Sequence, residues 1–297
     1  MADKQILHML SPLKQVSPFD VNMAVDAGYD AVIPYANISA DDVLGLVQDA
    51  IFSRPPKLAV RTGIFIGGRD AIASLDMLEA AKKAMVPPFI VSVFADPAGS
   101  FTTAAALVAH VERQLKKMGK GLEGQRIVVY GATGVVGFAS GVIAALEGAK
   151  VVLAGHDGTK RVTAACEEIE KRFGVTLQPG DGSTEDSKAA LLREADAAFC
   201  CARAGVQVLS KQQILDAPDL LVAADVNAVP PMGVEGLDVQ ADGVAIGGHA
   251  VGIGALAIGH TKYRTEFGLF RRMIETDKPV AFDFRDAFKL ARDFVAA

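Results

Sequence analysis

Short apolar runs of strand length alternate with stretches in which apolar residues recur every three or four positions, and this rhythm continues through nearly the whole chain. In the first third QILHML, YDAVIPY, TGIFIGG and PFIVSVFA are the strand-length runs. Between them SPFDVNMAVDAG, SADDVLGLVQDAIF and RDAIASLDMLEAAKKAM carry helical spacing. Ser39 with Asp42 reads as a capping box, and Asp70 as a further N-cap. Such strand–helix alternation predicts a parallel sheet. The alanine-rich segment GSFTTAAALVAHVERQLKKMGKG predicts one long helix bridging two domains. A second series follows: RIVVYG, KVVLAG, VTLQPG, DAAFCCA, LLVAADV and GVAIGG, with helices between them. No repeat, low-complexity tract or flexible linker interrupts it. The last segment is helical at both ends and is expected to pack back on the first domain.

Composition adds exclusions. The 297 residues are 51% hydrophobic and 22% charged, the balance of a globular chain long enough to bury a core. A net charge of -5 without any Lys/Arg run argues against a nucleic-acid partner. Cys166, Cys200 and Cys201 form neither a disulfide framework nor a metal-ligand spacing, which fits reduced core thiols in a cytoplasmic protein and no metal site. The N-terminus MADKQILHMLS lacks the basic and apolar regions of a secretion signal. The uncharged run over residues 243–261 reaches membrane-span length, but its glycines and histidines predict instead a buried strand, a glycine-rich turn and a tightly packed helix.

The sequence GATGVVG, residues 131–137, follows a strand, opens a helix and is answered on time by the strand KVVLAG. Gly131 permits a tight turn, Gly134 lets backbone N–H groups approach a pyrophosphate at the helix N-terminus, and Gly137 lets helix pack closely on strand. Thr133 offers a hydroxyl to phosphate. The alternative is a glycine-rich turn that binds nothing. At the end of the next strand, AGHDGTKR, Lys160 and Arg161 either neutralise a ribose 2'-phosphate or form a solvated helix start. NADP is permitted there and NAD is not excluded.

Several chemistries lack their residues. None of Tyr29, Tyr35, Tyr130 and Tyr263 has a lysine four positions on, so short-chain alcohol dehydrogenation is disfavoured. HExxH, a Walker A lysine, CxxC and GxSxG are absent. Three polar clusters stand at predicted strand ends, where open α/β sheets bind ligands. The first is ADPAGSFTTAAA, with Asp96, Ser100, Thr102 and Thr103; its plain alternative is an Asp turn with a helix cap. The second, AADVNAVPP, carries Asp225 and Asn227 before a rigid Pro230-Pro231 turn. The third, IGHTKYR, carries His260 and Lys262, the lysine being either buried beside a cofactor or simply the first solvated residue.

Taken together, FIGGRDAIASLDMLEAAKKAMVPPFIVSVFADPAGSFTTAAA, GATGVVG, ADVNAVPPMGVEGLD and GIGALAIGHTKYR resemble the NAD(P)-dependent methylene-tetrahydromethanopterin dehydrogenases of methylotrophic bacteria. The resemblance spans nearly the whole chain and implies an α/β fold of two domains. An N-terminal parallel α/β domain over 1–104, completed by the C-terminal helix 273–297, would face a Rossmann-type domain over 105–272, with the site in the cleft between them. It implies hydride transfer from N5,N10-methylene-tetrahydromethanopterin to NAD or NADP, giving the methenyl form during formaldehyde oxidation, and a homo-oligomer, trimer or hexamer. Related substrates would be dihydromethanopterin or methylene-tetrahydrofolate. Shikimate-type dehydrogenation and NADP sensing without turnover are the competing readings.

On the same resemblance Lys262 is the active-site lysine, expected to hydrogen-bond and orient the pterin. Asp20, Asp96, Ser100, Thr102, Thr103 and His260 fall on the substrate side. Gly131, Thr133, Gly134, Val135, Val136, His156, Lys160, Arg161, Ala202, Arg203, Asp225 and Asn227 fall on the cofactor side. His156 stands where NADP-only relatives would carry arginine, which favours acceptance of both cofactors.

Overall fold

The computed structural model describes residues 3–296, which divide into two compact units. The first holds the chain up to Thr102 together with Tyr263–Leu290; the second holds Thr103–Lys262 and the residues from Ala291 onward. The boundaries fall at 102/103 and 262/263, against the expected 104/105 and 272/273. Helical periodicity could not place them, because α4 (Ser100–Lys117) and α9 (Ala255–Glu275) each run through a boundary without a break.

The first unit is built on β1 (Ile6–Leu10), β2 (Ala31–Tyr35), β3 (Thr62–Ile66), β4 (Ser92–Ala95) and β12 (Ala281–Phe282), in the order β12-β4-β3-β1-β2. Every neighbouring pair is parallel. β3 is buried along its length, as a strand covered on both faces must be. Pro34 sits in edge strand β2, where a missing N–H costs no ladder bond. The helices are α1 (Pro18–Ala27), α2 (Val43–Phe52) and α3 (Ala71–Ala84). Ser17 caps α1 by accepting from the Asp20 amide, with Pro18 in the first turn. Asp70 caps α3 as expected, accepting from Ala73 N at 2.8 Å. Ser39 and Asp42 form only half of a capping box: both the amide and the hydroxyl of Ser39 donate to Asp42 Oδ2, and the helix begins after them at Val43. Phe65, Phe94 and Phe270 pack with ring centroids 5.3–5.4 Å apart, Phe270 being carried back into this core by α9.

The second unit is a seven-stranded sheet of β5 (Arg126–Tyr130), β6 (Lys150–Gly155), β7 (Gln178–Asp181), β8 (Ala197–Cys200), β9 (Val222–Asp225), β10 (Asp242–Gly247) and β11 (Ala250–Ile253). Its order β7-β6-β5-β8-β9-β11 is that of the doubly wound dinucleotide fold, with β10 added antiparallel on the outer edge. The order reverses between β5 and β8, which sets the expected ligand position at their carboxyl ends. α5 (Val135–Leu146), α6 (Lys160–Phe173), α7 (Glu185–Arg193) and α8 (Lys211–Leu215) connect the strands.

Three expectations are corrected. β7 lies later than VTLQPG suggested, as a largely exposed edge strand carrying Pro179. The run over residues 243–261 is not a buried strand followed by a turn: β10 is a mostly exposed edge, turns at Gly247 and Gly248, and returns as the buried β11 before α9 begins. No helix among the described residues is long and apolar enough to cross a membrane. The C-terminal segment is shared between the units. β12 joins the first sheet, whereas the end of α10 (Phe284–Ala296) is held in the second unit by Arg292, which donates to Glu112 at 2.6 and 2.8 Å.

Candidate active site

β5 delivers the chain to Gly131 with φ +73°, where a Cβ would lie 2.4 Å from the backbone oxygen of Cys201. Gly137 admits the helix: a Cβ there would stand 2.5 Å from Gly131 O. α5 starts at Val135 behind the N-cap Gly134, and no side chain caps it. The amides of Val135 and Val136 therefore belong to a first turn with positive dipole character and no internal anion. Such a helix start next to a backbone-lined turn suits a pyrophosphate.

A cavity of about 570 Å³ opens in front of this loop. Gly131, Thr133 and Gly134 form one side, Ala154 and His156 come from the end of β6, and Cys201, Ala202 and Arg203 follow β8. The structure thus gathers the glycine loop, His156, Ala202 and Arg203 around one volume. Sequence reasoning missed Gly182, Ser183, Lys188 and residues 206–208, which complete the lining. The rule that ligands sit beyond parallel strand ends could have found GDGS, which closes β7 and runs past it. Lys188 is fixed in the wall, with Nζ 3.0 Å from Val208 O and 2.6 Å from the Glu185 carboxylate. Tyr130 donates its hydroxyl to Lys188 O at 2.9 Å, and burial pushes its pKa up, so it serves as a fixed donor.

Other cofactor-side candidates lie outside that lining. Lys160 and Arg161 are exposed at the start of α6, where Arg161 pairs with Asp157 at 3.5 Å. Asp225 is 1% exposed at the end of β9, and its carboxylate accepts from the amides of Asn227 (2.9 Å) and Val234 (3.1 Å). Burial raises its pKa, with these backbone donors opposing the shift. Asn227 accepts from Gly205 N and Val229 N and donates to Pro231 O. Both side chains are engaged in folding the loop around the cis Pro230-Pro231 bond rather than turned into the cavity.

In the first unit Asp96 ends β4 fully buried. Its Oδ1 accepts from the amides of Phe101 (2.8 Å) and Thr102 (3.3 Å), and its Oδ2 from the Thr102 hydroxyl (2.6 Å). The carboxylate therefore caps the start of α4, the plainer of the two readings open for this cluster. Ser100 and Thr103 are half-buried on the first turn of α4, and Asp20 is buried in the first turn of α1. His260 and Lys262 are helical rather than at a strand end: in α9 the histidine is exposed and the lysine half-buried, on either side of the buried Thr261.

A family profile described as methylene-tetrahydromethanopterin dehydrogenase, N-terminal, matches residues 18–98. Over 290 residues the chain is 52% identical to the NAD(P)-dependent methylenetetrahydromethanopterin dehydrogenase of Methylorubrum extorquens, covering 97% of this chain and 98% of that one. The chain belongs to the methylenetetrahydromethanopterin dehydrogenase family. The bifunctional protein MdtA of the same organism is 34% identical over 98% of this chain and 99% of its own length. Among solved structures, quinate dehydrogenase from Corynebacterium glutamicum in complex with NAD aligns over 100% of both chains with a TM-score of 0.56 and 13% identity. Shikimate 5-dehydrogenase from Listeria monocytogenes, in complex with shikimate and NAD, covers 90% of this chain and 91% of its own with a TM-score of 0.53 and 14% identity. At such identities the two structures share the fold alone.

Proposed function

We propose that this protein oxidises N5,N10-methylene-tetrahydromethanopterin to the methenyl form, with hydride passing to NAD or NADP. The observation that carries the reading is the 52% identity along 97% of the chain to a dehydrogenase of that name. The glycine cradle at Gly131 and Gly137, which a Cβ would fill, and the uncapped start of α5 fit a dinucleotide. Bound there, the nicotinamide cofactor supplies the hydride acceptor. Gly131, Thr133 and Gly134 would hold the pyrophosphate together with the amides of Val135 and Val136, and His156 would lie toward the ribose.

Loss of hydride from a carbon between two nitrogens leaves a delocalised cation, so no proton has to move in the same step. The protein's task is then alignment and exclusion of water. An ammonium beside the growing cation would oppose it. Lys262 therefore acts by donating a hydrogen bond to an oxygen or nitrogen of the pterin, away from the reacting carbon. Asp20, Ser100, Thr103 and His260 are proposed on the substrate side; Asp96 and Thr102 contribute there by fixing the helix start. The enzyme is proposed to be cytoplasmic and homo-oligomeric, a trimer or hexamer.

The test is methenyl formation measured with tetrahydromethanopterin and tetrahydrofolate carriers against each of NAD and NADP. Turnover with the methanopterin carrier is expected. Turnover only with the folate, or cofactor binding without turnover with either, overturns the assignment. Lys262→Ala should lower kcat by about 100-fold with NADP affinity nearly intact.

A further inference from the structure

Thr261 immediately precedes Lys262 on α9; His110 of α4 reaches it and is met in turn by Asp242 of β10, all within the second unit. His110 of α4 is 4% exposed, and its Nε2 lies 2.8 Å from Thr261 Oγ1. On the other side its Nδ1 is 3.0 Å from Arg113 Nη2 and 3.2 Å from Asp242 Oδ1. Arg113 is ion-paired with Asp242, and Gln114 Nε2 donates to the same carboxylate oxygen at 3.4 Å. Both ring nitrogens are therefore engaged, Nε2 with the Thr261 hydroxyl and Nδ1 with the Arg113–Asp242 pair.

A side chain held at Thr261 opposes rotation of that stretch of α9 about its axis. Lys262 follows Thr261 by about 100° around the same axis, so the grip on Thr261 sets the direction in which Lys262 leaves the helix.

We propose that His110 is a positioning residue: by holding Thr261 it fixes the local rotation of α9 and thereby aims Lys262. This rests on Lys262 serving the proposed reaction. Replacing Thr261 by valine removes the hydroxyl and keeps the shape, leaving the imidazole Nε2 without that partner. A misaimed orienting group costs rate rather than cofactor affinity.

The experiment is a cycle of Thr261→Val, Lys262→Ala and the double variant in the full-length enzyme, reading kcat together with the Kd for NADPH from its fluorescence. Thr261→Val is expected to lose about 10-fold in kcat with Kd unchanged, and to have no further effect once Lys262 is alanine. Thr261→Ser restores the rate. His110→Gln, whose amide nitrogen reaches the place of Nε2, keeps most of it, and His110→Ala does not. If Thr261→Val fails to fold, His110→Asn takes its place in the cycle with the same outcomes. A Lys262→Ala enzyme at full rate removes the Lys262 reading and this proposal with it. A crippled Lys262→Ala enzyme in which Thr261→Val is silent, or lowers kcat by the same factor with and without the lysine, overturns the role of His110 alone.

Discussion

The turn after β4 and the turn after β5 do the same topological work, each leading a parallel strand into a helix, yet they treat the helix start in opposite ways. After β4 the protein fills it with its own carboxylate, Asp96, bonded to two amides and a hydroxyl of Phe101 and Thr102. After β5 it places glycine there and no capping side chain, with walls of backbone around Gly131 and Gly137. A helix start that carries a buried carboxylate repels a phosphate; one lined by bare amides attracts it. The difference separates a turn that secures the fold from a turn left open to an anionic group.

The strongest way to break this contrast is to fill the open turn. Gly131→Ala puts a methyl group into the Cys201 backbone at a positive φ, and neither can yield cheaply. We expect NADP binding to weaken by about 100-fold, roughly 2.7 kcal/mol, with circular dichroism unchanged. Retained affinity would mean that the loop does not hold the cofactor.

Emptying the closed turn should act on stability instead. Asp96→Ala leaves buried amides and the Thr102 hydroxyl without their acceptor, at a cost of about 2–4 kcal/mol. Denaturant unfolding should show this loss while the Kd for NADP stays the same. A variant of wild-type stability that fails only in KM for the pterin would return Asp96 to substrate binding.

How far the sequence reveals such differences depends on how local they are. The open turn was legible because its three glycines lie within seven positions and each has a separate steric task. Asp96 and Thr102 were legible as a cluster, but the choice between ligand and cap needed the carboxylate's direction. The grip on α9 was invisible: His110 stands 132 positions from Asp242 and 151 from Thr261, a pairing that no periodicity carries. β11 escaped because glycines break its apolar run, and β12 because two residues set no alternation. Asp225 and Asn227 had the right place at a strand end, yet their side chains fold the next loop.

A smaller effect sharpens the contrast just beyond the end of β6, beside the open turn. Asp157 and Arg161 pair at 3.5 Å, both half-exposed, beside His156. A carboxylate there favours a ribose 2'-OH and a guanidinium a 2'-phosphate. Arg161→Gln should lower kcat/KM with NADP about five-fold against NAD, and Asp157→Asn should shift the ratio the other way. Equal ratios in both variants would remove the pair from cofactor choice.

The smallest expected effect compares the two units through one histidine in each, His8 half-buried and His110 buried. Burial, reinforced by Arg54, lowers the pKa of His8 in the first unit. In the second, burial and Arg113 lower that of His110, against Asp242 and the Ala257 backbone, which favour its charge. In both cases the unfolded chain takes up a proton near pH 6.5 while the folded ring still refuses it. Unfolding then gains protons, so stability is whole above that pH and declines as pH falls from about 6.5 toward the folded-state pKa. Each ring contributes a slope of at most about 1.4 kcal/mol per pH unit. Urea unfolding between pH 7.5 and 5 should flatten for His8→Gln and for His110→Gln. Asp242→Asn withdraws the carboxylate that favours the charged His110, so its folded-state pKa drops further and the decline extends to lower pH. An Asp242→Asn protein with the wild-type profile would show that the carboxylate is spent wholly on Arg113 and leaves the imidazole to desolvation alone.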